Sequence, residues 1–247
     1  GSWQWGWGHG SFATNLGSLY IASGAELRES DNYAQFSGLT GSGSLGNAYV
    51  TPIAIAIGVN DASSTFNGTL VNDDSYNGQT TGTLALTKSG SGTLTLTGAN
   101  SFKGTATVSA GTLQVGDGVS GSLTLSDTLS VSSGATLDYQ QASDSASSMA
   151  ISNFGTVNFR QTGVFTLLGA ISGSGVVTQS GAGTTILSAN NAYTGATSII
   201  TGTLQIGNGT DLGVLSPYSE VSIASGATLA FNLISGSSGL TLSNSFT

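Results

Sequence analysis

Residues 88–118 read KSGSGTLTLTGANSFKGTATVSAGTLQVGDG, and residues 179–209 read QSGAGTTILSANNAYTGATSIITGTLQIGNG. Aligned from Thr87 and Thr178, the two stretches agree at 14 of 32 positions, without a gap, at an offset of 91. Many differences are conservative: Phe102 becomes Tyr193, Val108 becomes Ile199, and Val115 becomes Ile206. The likeness continues as SGATL at 133–137 and again at 225–229, with SGAEL at 23–27 as a third relative. Self-similarity on this scale constrains the fold more than any composition does. Each unit must stack on a similar neighbour, which is the mark of a solenoid.

The local period inside the units is two. Leu94 and Leu96 alternate with Thr93, Thr95 and Thr97, Leu113 with Val115, and Leu137 with Tyr139. Alternation over short runs means half-buried strands. Gly, Asn and Ser clusters interrupt these runs every six to twelve residues, the spacing of turns between short strands. Only 6% of residues are charged, against about 25% in ordinary soluble domains. Polarity therefore comes from Ser, Thr, Asn and Gln, and Ser, Thr and Asn compete with the backbone in helices.

These features predict an all-β chain and, within that class, a right-handed parallel β-helix. Leu, Val and Ile point into a narrow core, while Thr and Ser point out. Gly and Asn turn the corners, where left-handed backbone angles are tolerated. Each buried Leu or Val contributes roughly 1.5–3 kcal/mol, and stacking makes the rungs cooperative. At about 22 residues per rung and about 4.8 Å rise, the chain makes roughly eleven rungs. A β-sandwich is the rival fold, but it predicts neither the 91-residue repeat nor the phrases that follow it.

With those motifs in hand, LTKSGSGTLTLTGANSFKGTATVSAGTLQVG resembles the passenger-associated β-strand repeat of type V secreted autotransporters. The second copy departs from the pattern where Gln179 replaces Lys, Thr185 replaces a core Leu and Ala189 replaces Gly. The phrases GSGSLGN and IGVNDASSTFNG also resemble the family. The resemblance implies one β-helical passenger fragment over residues 1–247, export through an outer-membrane barrel, and display on a Gram-negative cell surface. The membrane link would run only through a C-terminal barrel outside this sequence. We expect the chain to be a piece of a longer polypeptide, with Gly1-Ser2 a cloning remnant.

Several activities find little support. A Ser-His-Asp triad would have to use His9, the one histidine, which lies in WGWGHGSF without a nucleophile motif. We expect no enzyme and no cofactor. The G-x-G-x-x-G strings at 41–46 and 116–121 precede strand-like runs and read as corners, since a phosphate loop needs a following helix. NDDS at 72–75 lacks the spacing of a calcium loop and reads as a turn, so no metal site is expected. The net charge is −8, with Arg28, Lys88, Lys103 and Arg160 scattered. We therefore expect no nucleic acid partner. With no cysteine, disulfides and thiolate sites are absent.

Two features are candidates for binding. Trp3, Trp5 and Trp7 alternate in an aromatic opening segment, residues 1–12, and on a strand would share one face. They form either a plug over the end of the core or a platform for sugars or another protein. From Phe66 to Thr87 is 21 positions, whereas the matching Phe165 to Thr178 is 13. The first unit therefore carries an inserted loop, placed at 72–79, with Asn72, Asp73, Asp74, Tyr76 and Asn77. Such a loop projects from the solenoid as a binding element or is a neutral expansion.

The leading expectation is a non-catalytic surface adhesin that associates with itself between cells, or with a host or matrix molecule. A passive stalk presenting another domain is the first alternative. A glycan-binding or glycan-cleaving β-helix is the second.

Overall fold

The computed structural model describes residues 2–4, 17–29, 33–47, 51–72, 82–141, 144–210, 213–215 and 217–233. They form short strands of two to five residues, every one paired in parallel. The one helical element among them is a 3-10 turn, Val59–Asp61. The chain winds around three faces as a parallel β-solenoid. One face is a ten-stranded sheet running from Ser18–Ile21 to Val221–Ile223. The second is a seven-stranded sheet, and the third is divided into a six-stranded and a five-stranded sheet.

Ten stacked strands between Leu19 and Val221 define nine turns of about 22 residues each. The expected rung size therefore holds, while the described coil has nine turns rather than eleven. Turn length varies locally. Most turns advance about 20–24 residues, as from Leu86 to Ala106 and from Leu129 to Ile151. The turn from Ile55 to Leu86 takes 31. The extra residues fall between Asn72 and Leu84, and most of them lie outside the described residues.

Alternation fills the core as the sequence suggested. Leu94, Leu113, Leu137, Val157 and Val177 stack in register and are fully buried. Beside them Tyr139 stacks on Phe165 at 4.9 Å between ring centroids and on Phe159 at 5.8 Å, distances that suit offset aromatic pairs.

The two sequence copies do not occupy the same faces. Leu94 lies on the ten-stranded sheet, but its counterpart Thr185 lies on the five-stranded one. Val108 lies on the seven-stranded sheet, and its counterpart Ile199 on the ten-stranded one. An offset of 91 residues is four turns plus one face. The repeat thus encodes a strand–corner–strand unit that fits any side of the coil.

Corners depart from expectation in one respect. Glycine does supply left-handed angles: Gly41, which ends the strand Gly38–Gly41, has φ 98°, and a Cβ there would lie 2.0 Å from the Ile21 carbonyl oxygen. Both G-x-G-x-x-G strings are corners between two strands. Asparagine does so only at Asn60, φ 67°; it and Asp61 are the only described non-glycine residues with positive φ. Asn100 and Asn191 turn inward at their corners instead. Asn100 Oδ1 accepts from Leu70 N at 2.9 Å, and its Nδ2 donates to the carbonyls of Gly98 at 2.8 Å and Ser122 at 3.1 Å. Asn191 repeats this with Ile171 N, Ala189 O and Val214 O. One amide thereby splices three successive turns where the ladder is interrupted, satisfying main-chain groups that burial would otherwise leave unpaired.

Candidate functional site: the outer rows of the ten-stranded face

Period two along a strand, combined with unslipped register between turns, draws outward side chains into rows that run the length of the coil. On the ten-stranded face one row comprises Thr65, Thr95, Gln114, Asp138, Asn158, Thr178, Ser198 and Ser222. A parallel row two residues away holds Thr93, Thr112, Thr136 and Thr156, then Val176. β-branched threonine suits this position because it packs on a pleated surface while its hydroxyl stays wet.

The middle of the first row is cross-linked. Gln114 Nε2 donates to Gln140 Oε1 at 3.1 Å and to the Gly116 carbonyl at 2.8 Å. Arg160 reaches back to Gln140 through Nη2 and forms an ion pair with Asp138, Nε to Oδ2 at 3.2 Å. Asn158 Nδ2 donates to Asp138 Oδ1 at 3.1 Å, and Ser180 Oγ donates to Asn158 Oδ1 at 2.7 Å. Four turns are held in one polar network. Burial raises the Asp138 carboxyl above its ordinary value, and the Arg160 guanidinium and the Asn158 amide oppose that shift.

This face carries almost no charge of its own. Asp138 is neutralised by Arg160, while Asp61, Asp117, Asp127 and Asp144 all sit outside strands, in corners. Its chemistry is that of hydroxyls and amides, which donate and accept hydrogen bonds to an apposed surface without bulk charge repulsion. Among the described residues no group of three or more His, Cys, Asp or Glu side chains is arranged to hold a metal ion.

The sequence singled out other residues. Asn72 ends the strand Thr69–Asn72, and its side chain bridges the base of the long turn. Nδ2 donates to Gly82 O at 2.8 Å, and Oδ1 accepts from Lys103 N at 2.9 Å and Leu84 N at 3.3 Å. Asp73, Asp74, Tyr76 and Asn77 lie outside the described residues, as do Trp5 and Trp7. Trp3 lies on the strand Ser2–Gln4 and pairs with Leu27 at the start of the six-stranded sheet. The rows with Gln114, Asp138, Asn158 and Arg160 went unremarked in the sequence. Their signal was there: polar residues at the outward phase of strands spaced one turn apart.

The family described as Passenger-associated-transport-repeat matches residues 86–115 and 177–206. A similar protein is the Adhesin BmaC autotransporter of Brucella suis biovar 1 (strain 1330), 35% identical over 180 residues. That alignment covers 70% of this chain and 4% of the adhesin, so the chain spans a small fraction of that relative's length. No solved structure matches the chain.

Proposed function

We propose that this chain, which belongs to the passenger domains of type V autotransporters, is a non-catalytic adhesive module that binds a second copy of itself. Passenger sequence of this class is secreted and displayed at the cell surface, and the relative's name supports an adhesin-like role. The observation that carries the finer reading is the pair of outward rows on the ten-stranded face, in register through at least four successive turns and nearly uncharged. Two such faces laid side by side exchange many weak hydrogen bonds, and dense display on apposed cells multiplies them into firm contact. The inserted loop, with Asn72, Asp73, Asp74, Tyr76 and Asn77, is a second candidate contact, and the Trp3, Trp5 and Trp7 row a third. A host or matrix molecule is the alternative partner.

Beads coated with the chain test the reading. Coated beads of two colours are expected to form mixed clumps, and beads carrying Thr112→Lys, Thr136→Lys and Thr156→Lys together are expected to stay dispersed. Equal clumping of both sets overturns the assignment to this face. Dispersed wild-type beads that bind to host cells or matrix would favour the alternative partner over self-recognition. A spacer role fits neither result and is favoured by beads that do neither.

A further inference from the structure

In the middle of the ten-stranded face lies an ion pair whose two halves are unequally buried. Asp138, at the outward phase of Thr136–Tyr139, is 5% exposed. Arg160, in the corner after Thr156–Phe159, is 41% exposed along its side chain. Its Nε lies 3.2 Å from Asp138 Oδ2, and its Nη2 donates to Gln140. The side chains in register with Asp138 are neutral amides: Gln114 on Thr112–Val115, and Asn158 on Thr156–Phe159. Tyr139, the next residue, turns into the core, where burial keeps its phenol protonated. Asp117 stands in the corner after Thr112–Val115, and bonds from Ser120 N and Val119 N hold its carboxyl below the ordinary range. Among the described residues, Arg160 is thus the charge that balances Asp138.

We propose, resting on the self-association reading of this face, that the pair is an acid-sensitive gate: a proton taken up by Asp138 leaves Arg160 an unbalanced cation, and two faces that each carry one no longer hold together. With Asp138 ionised, the face offers hydroxyls, amides and a closed ion pair. With Asp138 protonated, the guanidinium has lost its counter-charge. Removing one member of a buried pair leaves a charge that apposed surfaces must desolvate without compensation. Burial raises the Asp138 carboxyl above the ordinary value of 3.8, with the guanidinium and the Asn158 amide opposing. It therefore takes up its proton in milder acid than an exposed aspartate does, while Asp117 is still ionised.

The chain as a whole responds to acid with the opposite sign. It has 12 acidic against 4 basic residues besides its one histidine, a net charge of −8. Protonation removes that excess and with it the repulsion between copies, which by itself strengthens association. Exposed charges farther apart than about 8 Å are largely screened at physiological salt, whereas a charge inside the contact is not. The local cation therefore prevails, and weaker association in acid is the signature of the gate.

Sedimentation velocity on the full chain, run from pH 7 down to about pH 4, tests the gate. The dimer is expected to weaken about tenfold or more as Asp138 titrates, the scale of an uncompensated charge in a contact, while the monomer keeps its sedimentation coefficient. Asp138→Asn is expected to be as weak at pH 7 as the chain is in acid, and to lose the pH response. Adding Arg160→Gln to Asp138→Asn is expected to recover most of the lost affinity, because the unbalanced cation is gone. A dimer equally tight or tighter in acid overturns the gate and leaves the self-association reading standing, as does an Asp138→Asn variant that keeps the pH response. A double variant no tighter than the single one overturns the role of the cation. A chain that is monomeric at pH 7 at every concentration overturns both the gate and the reading beneath it.

Discussion

Tyr139 packs its ring against Phe159 and Phe165, yet its hydroxyl is buried with no hydrogen-bond partner among the described residues. Burial without a partner costs about 1–3 kcal/mol, so Tyr139→Phe is expected to raise stability by about that amount, read as a higher urea midpoint at unchanged slope. A lower midpoint would mean the hydroxyl is satisfied. Tyr193 differs, because its hydroxyl lies 2.7 Å from Thr197 Oγ1. Burial pushes its phenol up from 10.0 to about 12. The folded state therefore holds this proton more tightly than the unfolded chain, and the associated stability is present below pH 10 and lost as pH rises towards 12. Tyr193→Phe is expected to flatten the loss of stability over that window, measured by urea unfolding at several alkaline pH values. An unchanged slope would contradict the assignment. Lys88 shows the opposite direction, burial holding its ammonium below the ordinary lysine range against the pull of Asp61.

At the scale of the element, the two copies solve the same corner with different chemistry. Lys88 Nζ donates to the carbonyls of Ser89, Gly90 and Ala110. Gln179, in the same place of the second copy, donates from Nε2 to Gly181 O at 2.8 Å and Gly183 O at 3.2 Å. An amide has a spare acceptor, and Thr185 Oγ1 donates to it at 2.6 Å while itself receiving the Gln161 amide. The departures Gln179 and Thr185 thus form one buried network with Gln161, and the Leu-to-Thr change is part of it. Thr185→Leu is expected to lower stability by about 1–3 kcal/mol in urea unfolding despite the added apolar volume, because it strands two buried amides. A stabilised variant would show that the site wanted leucine.

The same elements show how much the sequence disclosed. Strands and inward residues were legible because a period of two and the recurring SGATL phrase are local signals. The coupling of Gln179 to Thr185 was not, because it joins a loss at one position to a loss six residues on. The one-face rotation between copies was hidden too, since an unbroken alignment does not reveal that the four turns between them advance by 19, 24, 20 and 20 residues. The rows of the ten-stranded face needed that register, and no single segment contains them.

For the whole molecule, rigidity and low surface charge set the terms. Every turn rests on its neighbours through parallel ladders, so outward side chains are fixed in position relative to one another across several turns. A surface ordered in this way loses little entropy on meeting its own copy. Each threonine contributes weakly, and the sum depends on how many rows engage at once. Sedimentation velocity over a broad concentration range, comparing the chain with its Thr112→Lys, Thr136→Lys, Thr156→Lys variant, tests this directly. Self-association through the ten-stranded face predicts a concentration-dependent dimer for the chain and an elongated monomer for the variant at every concentration. A dimer that persists in the variant, or a chain that stays monomeric throughout, would contradict it.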